Sequence, residues 1–251
     1  MISETIFQDQ NLSKGSSILN IDDFVNWKKQ NKAYNFSKLP ETAIITLFNK
    51  KREWFKAVKK LKGLNGKNYI VKTKSASNEV ILCTGFGSGA PSVINLCEEL
   101  RALGVKNFIF LGLGGSLVPD ISEGELTYVK TVLSASGISY YYCKDEKISP
   151  FNSNYSNKMA QQLKAKPITV LSTDAPFRET NFVINHFKEK GAEMVEMECA
   201  GLYAFSNFHQ VNIACFIISS DQLSQEWTPP KQVGKLFTLG QKTIDRLINY
   251  L

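Results

Sequence analysis

Five short runs of apolar and β-branched residues limit what this chain can become: residues 43–48, 80–83, 108–111, 168–171 and 213–218. Each is too short for a helix of ordinary length. A continuous apolar run of four to six residues, without polar alternation, suits a strand covered on both faces. Helical patterns separate the runs. Residues 93–102 carry Val93, Leu96, Cys97 and Leu100 on one face, with Ser92 as the expected cap and Gly104 as the stop. Residues 181–190 read as a helix stopped by Gly191, and 231–250 as an amphipathic closing helix. Asn20 is placed to cap a short helix over 21–27, and Glu53 to open one running to about Lys60. Strand and helix alternate from residue 43 onward with no break in composition. The pattern predicts the α/β class: a single three-layer α/β/α domain over residues 41–251, preceded by an N-terminal extension over 1–40. That extension is polar, and it fits either an arm wrapped on a neighbouring subunit or a mobile tail.

Chemistry concentrates in Glu193-Met194-Val195-Glu196-Met197-Glu198-Cys199-Ala200-Gly201-Leu202-Tyr203. Glu196 and Glu198 flank Met197 directly before a largely apolar run that reaches Phe208. Residues two apart share a side of an extended segment but not of a helix. The two acids are therefore expected as the last extended residues before a buried helix, with Glu198 near its first turn. A carboxylate entering a core is costly unless it is paired or has a chemical task. The plainer reading is a helix cap or a partner of the helix dipole. A third acid, Asp221, follows the run 213–218 through Ser219-Ser220, where open α/β sheets place their ligand crevice. Its plainer reading is a turn residue or a cap.

The run 80–83 leads into Thr84-Gly85-Phe86-Gly87-Ser88-Gly89-Ala90-Pro91-Ser92. Glycines here permit positive φ and close approach of the backbone to a ligand. A dinucleotide-binding fingerprint needs glycine at the sixth position, where Ala90 stands, so that reading is weak.

Composition bears on partners. A formal net charge of +7 could serve an anionic partner. The lysines are dispersed, however, with clusters only at Lys50-Lys51-Arg52 and Lys59-Lys60, which favours a basic surface over a nucleic-acid groove. The five cysteines are odd in number and lack a CxxC pair, which points to reduced thiols in a cytoplasmic protein and to no metal site. Residues 80–97 are uncharged, but Gly85, Gly87, Gly89 and Pro91 break them, so no membrane span is expected. The start Met1-Ile2-Ser3-Glu4 shows no signal-peptide pattern.

The segment Val195–Tyr203 followed by Ser220-Asp221 resembles the signature of the nucleoside phosphorylases, a family of purine nucleoside and uridine phosphorylases with related nucleosidases. The resemblance runs from about residue 80 to 228. Ser172-Thr173-Asp174-Ala175-Pro176-Phe177-Arg178-Glu179-Thr180 is similar to a segment of the uridine-phosphorylase-like members. The resemblance implies a central mixed sheet that bends into a partial barrel, and a homo-oligomer, dimer or hexamer. It implies a nucleoside substrate, no cofactor, no nucleic-acid partner, and phosphate as a possible co-substrate. By position, Glu196, Met197 and Glu198 would bind ribose, with Glu198 accepting from the diol. Asp221 would protonate the leaving base, Phe177 wall the base pocket, and Arg178 reach a base carbonyl. Arg52 and Gly87 remain as phosphate contacts.

The chain departs from the family where phosphate binds. The expected arginine and hydroxyl align with Phe110 and Leu113, and a glycine of the first phosphate turn aligns with Phe48. None of the three side chains can donate a hydrogen bond to an anion. The resemblance thus implies cleavage of the N-glycosidic bond of a uridine- or purine-type riboside, by water or otherwise without dependence on phosphate. A nucleoside-binding protein of the same fold with little or no turnover is the alternative. A basic nucleic-acid binder is a third reading, for which no aromatic–basic interleaving is present.

Overall fold

The apolar runs form the middle of one continuous sheet. The computed structural model describes residues 17–48, 57–73, 78–224 and 226–251. Its strands are β1 (Thr42–Thr46), β2 (Ala57–Leu61), β3 (Lys67–Lys72), β4 (Glu79–Thr84), β5 (Asn107–Ser116) and β6 (Leu126–Ala135). They continue as β7 (Lys147–Ile148), β8 (Lys166–Thr173), β9 (Met194–Glu196), β10 (Asn212–Leu223) and β11 (Trp227–Thr228). The helices are α1 (Ile21–Gln30), α2 (Ala90–Ala102), α3 (Ser153–Leu163), α4 (Asn181–Glu189), α5 (Cys199–His209) and α6 (Val233–Tyr250).

β10, β6, β8, β9 and β5 are neighbours in that order, and β5 pairs back onto β10, closing a five-stranded barrel. β1, β4, β3 and β2 extend the sheet outward from β5. Parallel pairs (β5 with β1 and β10, β8 with β6 and β9) mix with antiparallel ones (β5 with β9, β6 with β10). The expected bend of the sheet therefore goes to full closure among these five strands, while β2 and β11 remain at the ends of the strand order.

Successive strand residues point to opposite faces, and both faces here are covered. Ile45, Ile81, Phe108 and Phe110 pack with α2 and α5 through Val93, Leu96, Leu100, Leu202 and Phe205. Their neighbours Ile44, Leu82, Ile109 and Leu111 pack with α3 and α6 through Met159, Leu163, Ile244 and Leu247. This is the three-layer arrangement the run pattern predicts. All five cysteines are free thiols, four of them buried. Among the described residues no helix is long and apolar enough to cross a membrane.

Local expectations fare unevenly. Asn20 does cap α1, its side chain accepting from the Asp22 N–H at 2.8 Å, and the helix runs on to Gln30. Lys28 of α1 pairs with Glu99 of α2, and Val25 and Leu39 are buried, so residues 17–40 pack on the domain. The helix expected from Glu53 to Lys60 is not formed where it can be described. Residues 49–56 lie outside the described residues, and Ala57–Leu61 is a strand paired antiparallel with β3 across a turn containing Gly63 and Gly66. Pairing and turn glycines outweigh the weak helical preference of a lysine-rich segment. Ser92 is not the cap of α2: the helix starts at Ala90, behind Gly89 at φ +82°, without a side-chain cap. β5 also continues through Gly112–Ser116, because pairing with β9 and β10 holds its glycines extended.

Candidate active site

Met194–Glu196 is strand and Cys199–His209 is helix, so the two acids stand at the expected junction. They are used differently. Glu196 accepts from Ser172 Oγ on β8, and through Oε2 from the backbone N–H groups of Glu198 (2.7 Å) and Cys199 (2.8 Å). It therefore caps α5, as the plainer reading held. Glu198 reaches the other way: its Oε1 accepts from the N–H of Gly89, in the glycine-rich loop, at 2.6 Å. Both are almost fully buried, at 3% and 2% exposure. Burial raises both carboxyls above the ordinary range, and for Glu198 burial followed by the neighbouring Glu196 charge pushes it up to about 7.

Met197, between them, is half-buried and lies over the loop: its Cε would sit 4.0 Å from a methyl placed on Gly89. Gly87 has φ +110° and Gly89 φ +82°, values an L side chain rarely adopts. The loop thus reaches Glu198 by a backbone path closed to other residues. Ser172 also accepts from the Ala200 N–H at 2.9 Å, so one hydroxyl ties β8 to both Glu196 and α5. Tyr203, in the same motif, donates to the Val129 carbonyl and pins α5 onto β6.

Asp221 lies in β10 itself, at a register shift opposite Gly115 of β5, rather than beyond the strand end. Gly115 also pairs with Val195 of β9. Asp221 and the Glu196–Glu198 corner are thus two strand spacings apart, about 10 Å, across one residue of β5. Gly114 and Gly115 make the approach possible. A methyl on Gly114 would meet the Val195 carbonyl oxygen at 2.7 Å, and one on Gly115 would meet Leu223 Cδ1 at 2.3 Å, with the Asp221 oxygens beyond it at 3.4 and 3.5 Å. Asp221 Oδ1 accepts from Ser220 Oγ, and Oδ2 from the Trp227 indole N–H at 2.8 Å.

The base-side expectations divide. The turn Pro176–Arg178 carries Phe177 and Arg178, both exposed. Phe177 is 100% exposed, and its neighbours over residues 174–178 are exposed too before α4 begins. Asp174 is spent on the Ser136 hydroxyl (2.8 Å) and the Gly137 N–H (2.6 Å). Glu179, the residue after Arg178, is half-buried, and burial followed by the Asp221 charge pushes its carboxyl up to about 7. Glu179 and Ser172 were missed by sequence reasoning. Their neighbours in space come from strands far away in sequence, and only the Ser172–Thr180 segment signalled them. Neither histidine joins the site: His209 binds Glu98 at 2.8 Å, tying α5 to α2, and His186 lies on α4.

The three departures from the family pattern are filled by packed hydrocarbon. Phe110 is buried with its ring against Gly112, where an added methyl would come within 2.7 Å of the ring. Leu113 packs beside the outer cluster. Phe48 is buried against Gly240 of α6, 2.5 Å from where a methyl there would stand, and meets Phe237 edge to face. Arg52 lies outside the described residues. Among the described residues no three His, Cys, Asp or Glu side chains converge to hold a metal.

The family model of the phosphorylase superfamily matches residues 38–249. A DeoD-type purine nucleoside phosphorylase of Caldanaerobacter subterraneus subsp. tengcongensis is 26% identical over 190 residues, covering 72% of this chain and 80% of that protein. One from Clostridium novyi is 26% identical over 186 residues, covering 71% and 78%. The chain is also similar to an uncharacterized protein, R802, of Acanthamoeba polyphaga mimivirus, at 27% identity over 135 residues and 54% of each chain.

Proposed function

The chain belongs to the phosphorylase superfamily, and from that premise we propose that it cleaves the N-glycosidic bond of a purine nucleoside with water as nucleophile. The observation that carries this reading is the placement of Glu198 with Met197 on one side of Gly114–Gly115 of β5 and of Asp221 on the other. Breaking a ribosyl–base bond leaves a cation-like sugar and a base that gains an electron pair. A carboxylate near the sugar and an acid near the base lower that barrier, the acid typically by 10²- to 10⁴-fold. Glu198 accepts from the ribose diol, Met197 packs on the sugar, and Glu196 holds the strand–helix corner that carries both. The purine assignment draws on the names of the similar phosphorylases and on the exposure of Arg178 and Phe177, which leaves a pyrimidine carbonyl without a buried partner.

Water is the nucleophile in this reading because Phe48, Phe110 and Leu113 offer an anion no donor. Moving phosphate into such surroundings costs several kcal/mol even after relaxation, on the order of a thousandfold in affinity. The same three residues favour a second reading, a nucleoside-binding protein without turnover. Incubation with inosine, adenosine and uridine in phosphate-free buffer separates the two, with free base followed by chromatography and binding by calorimetry. Release of hypoxanthine and adenine well ahead of uracil is expected. Binding without release supports the second reading, and neither binding nor release contradicts both.

A further inference from the structure

Asp221 has a different kind of partner at each oxygen. Its Oδ2 accepts from the Trp227 indole N–H at 2.8 Å, and its Oδ1 meets Ser220 Oγ at 2.5 Å. An indole nitrogen can only donate, whereas a hydroxyl both donates and accepts. A proton on Asp221 therefore has an acceptor beside Oδ1, and the indole offers none beside Oδ2. Ser220 can play either part, because its Oγ also lies 3.1 Å from the Gly114 carbonyl oxygen. Its single hydrogen points to Oδ1 when Asp221 is charged, and to Gly114 when Oδ1 carries the proton. The backbone holds Trp227 in place: Leu223 pairs with Trp227, and Gln222 with Thr228, between β10 and β11. Trp227 is 64% exposed, so its ring adds little to a core and its N–H is its distinctive contribution.

We propose that Trp227 is the positioning residue for Asp221: its N–H fixes Oδ2 as an acceptor and leaves Oδ1, beside Ser220, as the oxygen that gives its proton to the departing purine. This rests on nucleoside cleavage at the same site. As the C1′–N9 bond breaks, its electron pair stays on the base, and the Oδ1 proton passes to the purine imidazole nitrogen. Water adds to C1′, and the proton that water loses returns to Asp221. Charge grows on the carboxylate while its proton leaves. The indole N–H and the Ser220 hydroxyl, turned back from Gly114, both donate to that charge. The arrangement helps a leaving group that needs a proton, and gives no advantage to one that departs readily as an anion.

The test is kcat and KM for inosine and for 4-nitrophenyl riboside, whose phenolate leaves unprotonated, in Trp227→Phe, which keeps a ring and loses the N–H. Inosine kcat should fall about 10-fold with KM little changed, the worth of one donor to a charged group. Cleavage of the nitrophenyl riboside should stay within about two-fold of the parent, because it calls for no proton. In an Asp221→Asn background the same substitution should cost inosine cleavage nothing further, since no carboxylate is left to position. Equal loss of both substrates would assign Trp227 a structural role in β11 and overturn the proposal. An undiminished inosine rate, or a full further loss on top of Asp221→Asn, overturns it as well. A parent that cleaves neither riboside contradicts the cleavage reading instead. The indole ¹⁵N–¹H signals of Trp27, Trp54 and Trp227 then read the contact alone. Asp221→Asn should move the Trp227 signal and leave the other two in place, and an unmoved Trp227 signal refutes the positioning.

Discussion

Glu196 and Glu198 are two residues apart, and the backbone amides that meet them set different tasks. Glu196 spends its oxygens on Ser172 and on two N–H groups at the start of α5. Glu196→Gln turns an amide NH₂ toward one of those donors, and should cost about 1–3 kcal/mol of unfolding free energy in urea titrations. Glu198 is bound to the loop at Gly89 and borders Met197. Glu198→Gln should keep the fold and lower kcat/KM for ribosides by about 10- to 100-fold, the worth of one charged hydrogen bond; unchanged turnover would remove Glu198 from the ribose site. Stability against pH gives an independent reading. The Glu198 carboxyl is raised from 4.5 to about 7 in the folded chain. Its contribution is full below 4.5 and is lost as pH rises through about 7. Relative to Glu198→Gln, the parent should therefore be more stable at pH 5 than at pH 8, by about 2–3 kcal/mol. Parallel melting curves for the two proteins at both pH values would refute this.

At the scale of elements, contacts between β1 and α6 occupy the place where the resemblance implies a phosphate turn. Gly240 of α6 faces the Phe48 ring, which would stand 2.5 Å from an added methyl. Alanine ordinarily favours a helix over glycine by about 1 kcal/mol. Here the clash with a buried ring should win, and Gly240→Ala should destabilise by about 1–3 kcal/mol. The penalty should shrink in a Phe48→Leu background, a coupling that a double-mutant cycle measures. No coupling would mean that α6 shifts freely and the contact is loose. Much of this architecture was legible in the sequence. The runs 80–83, 108–111, 168–171 and 213–218 lie in strands and the run 43–48 does so as far as Thr46, since covered strands advertise themselves by continuous hydrocarbon. Asn20 and Gly191 marked helix ends through local chemistry alone. The β2–β3 hairpin was not legible, because Ala57–Leu61 is extended by its partner strand and not by its own preference. The strand–helix junction at Glu196 and Glu198 was legible, whereas Asp221 was expected beyond a strand end and lies within β10. Ser172 and the Gly114–Gly115 bridge were not legible, since their roles follow from a register between β8, β9, β5 and β10 that sequence does not display.

For the whole molecule, barrel closure is what gathers the site. β10 must pair with β5, and β5 with β9, before Asp221 and the Glu196–Glu198 corner can flank the same stretch of β5. The closed barrel and the family match over residues 38–249 agree on the phosphorylase-superfamily fold. The same molecule fills positions 48, 110 and 113 with packed side chains. A site that keeps the sugar and base acids but fills the anion positions with hydrocarbon should cleave without phosphate. Inosine cleavage across a phosphate titration from zero into the millimolar range, with ribose and ribose 1-phosphate quantified separately, tests this most directly. Base release that is independent of phosphate, with ribose as the sugar product, is the predicted result. Saturable dependence on phosphate with ribose 1-phosphate as the product would contradict it.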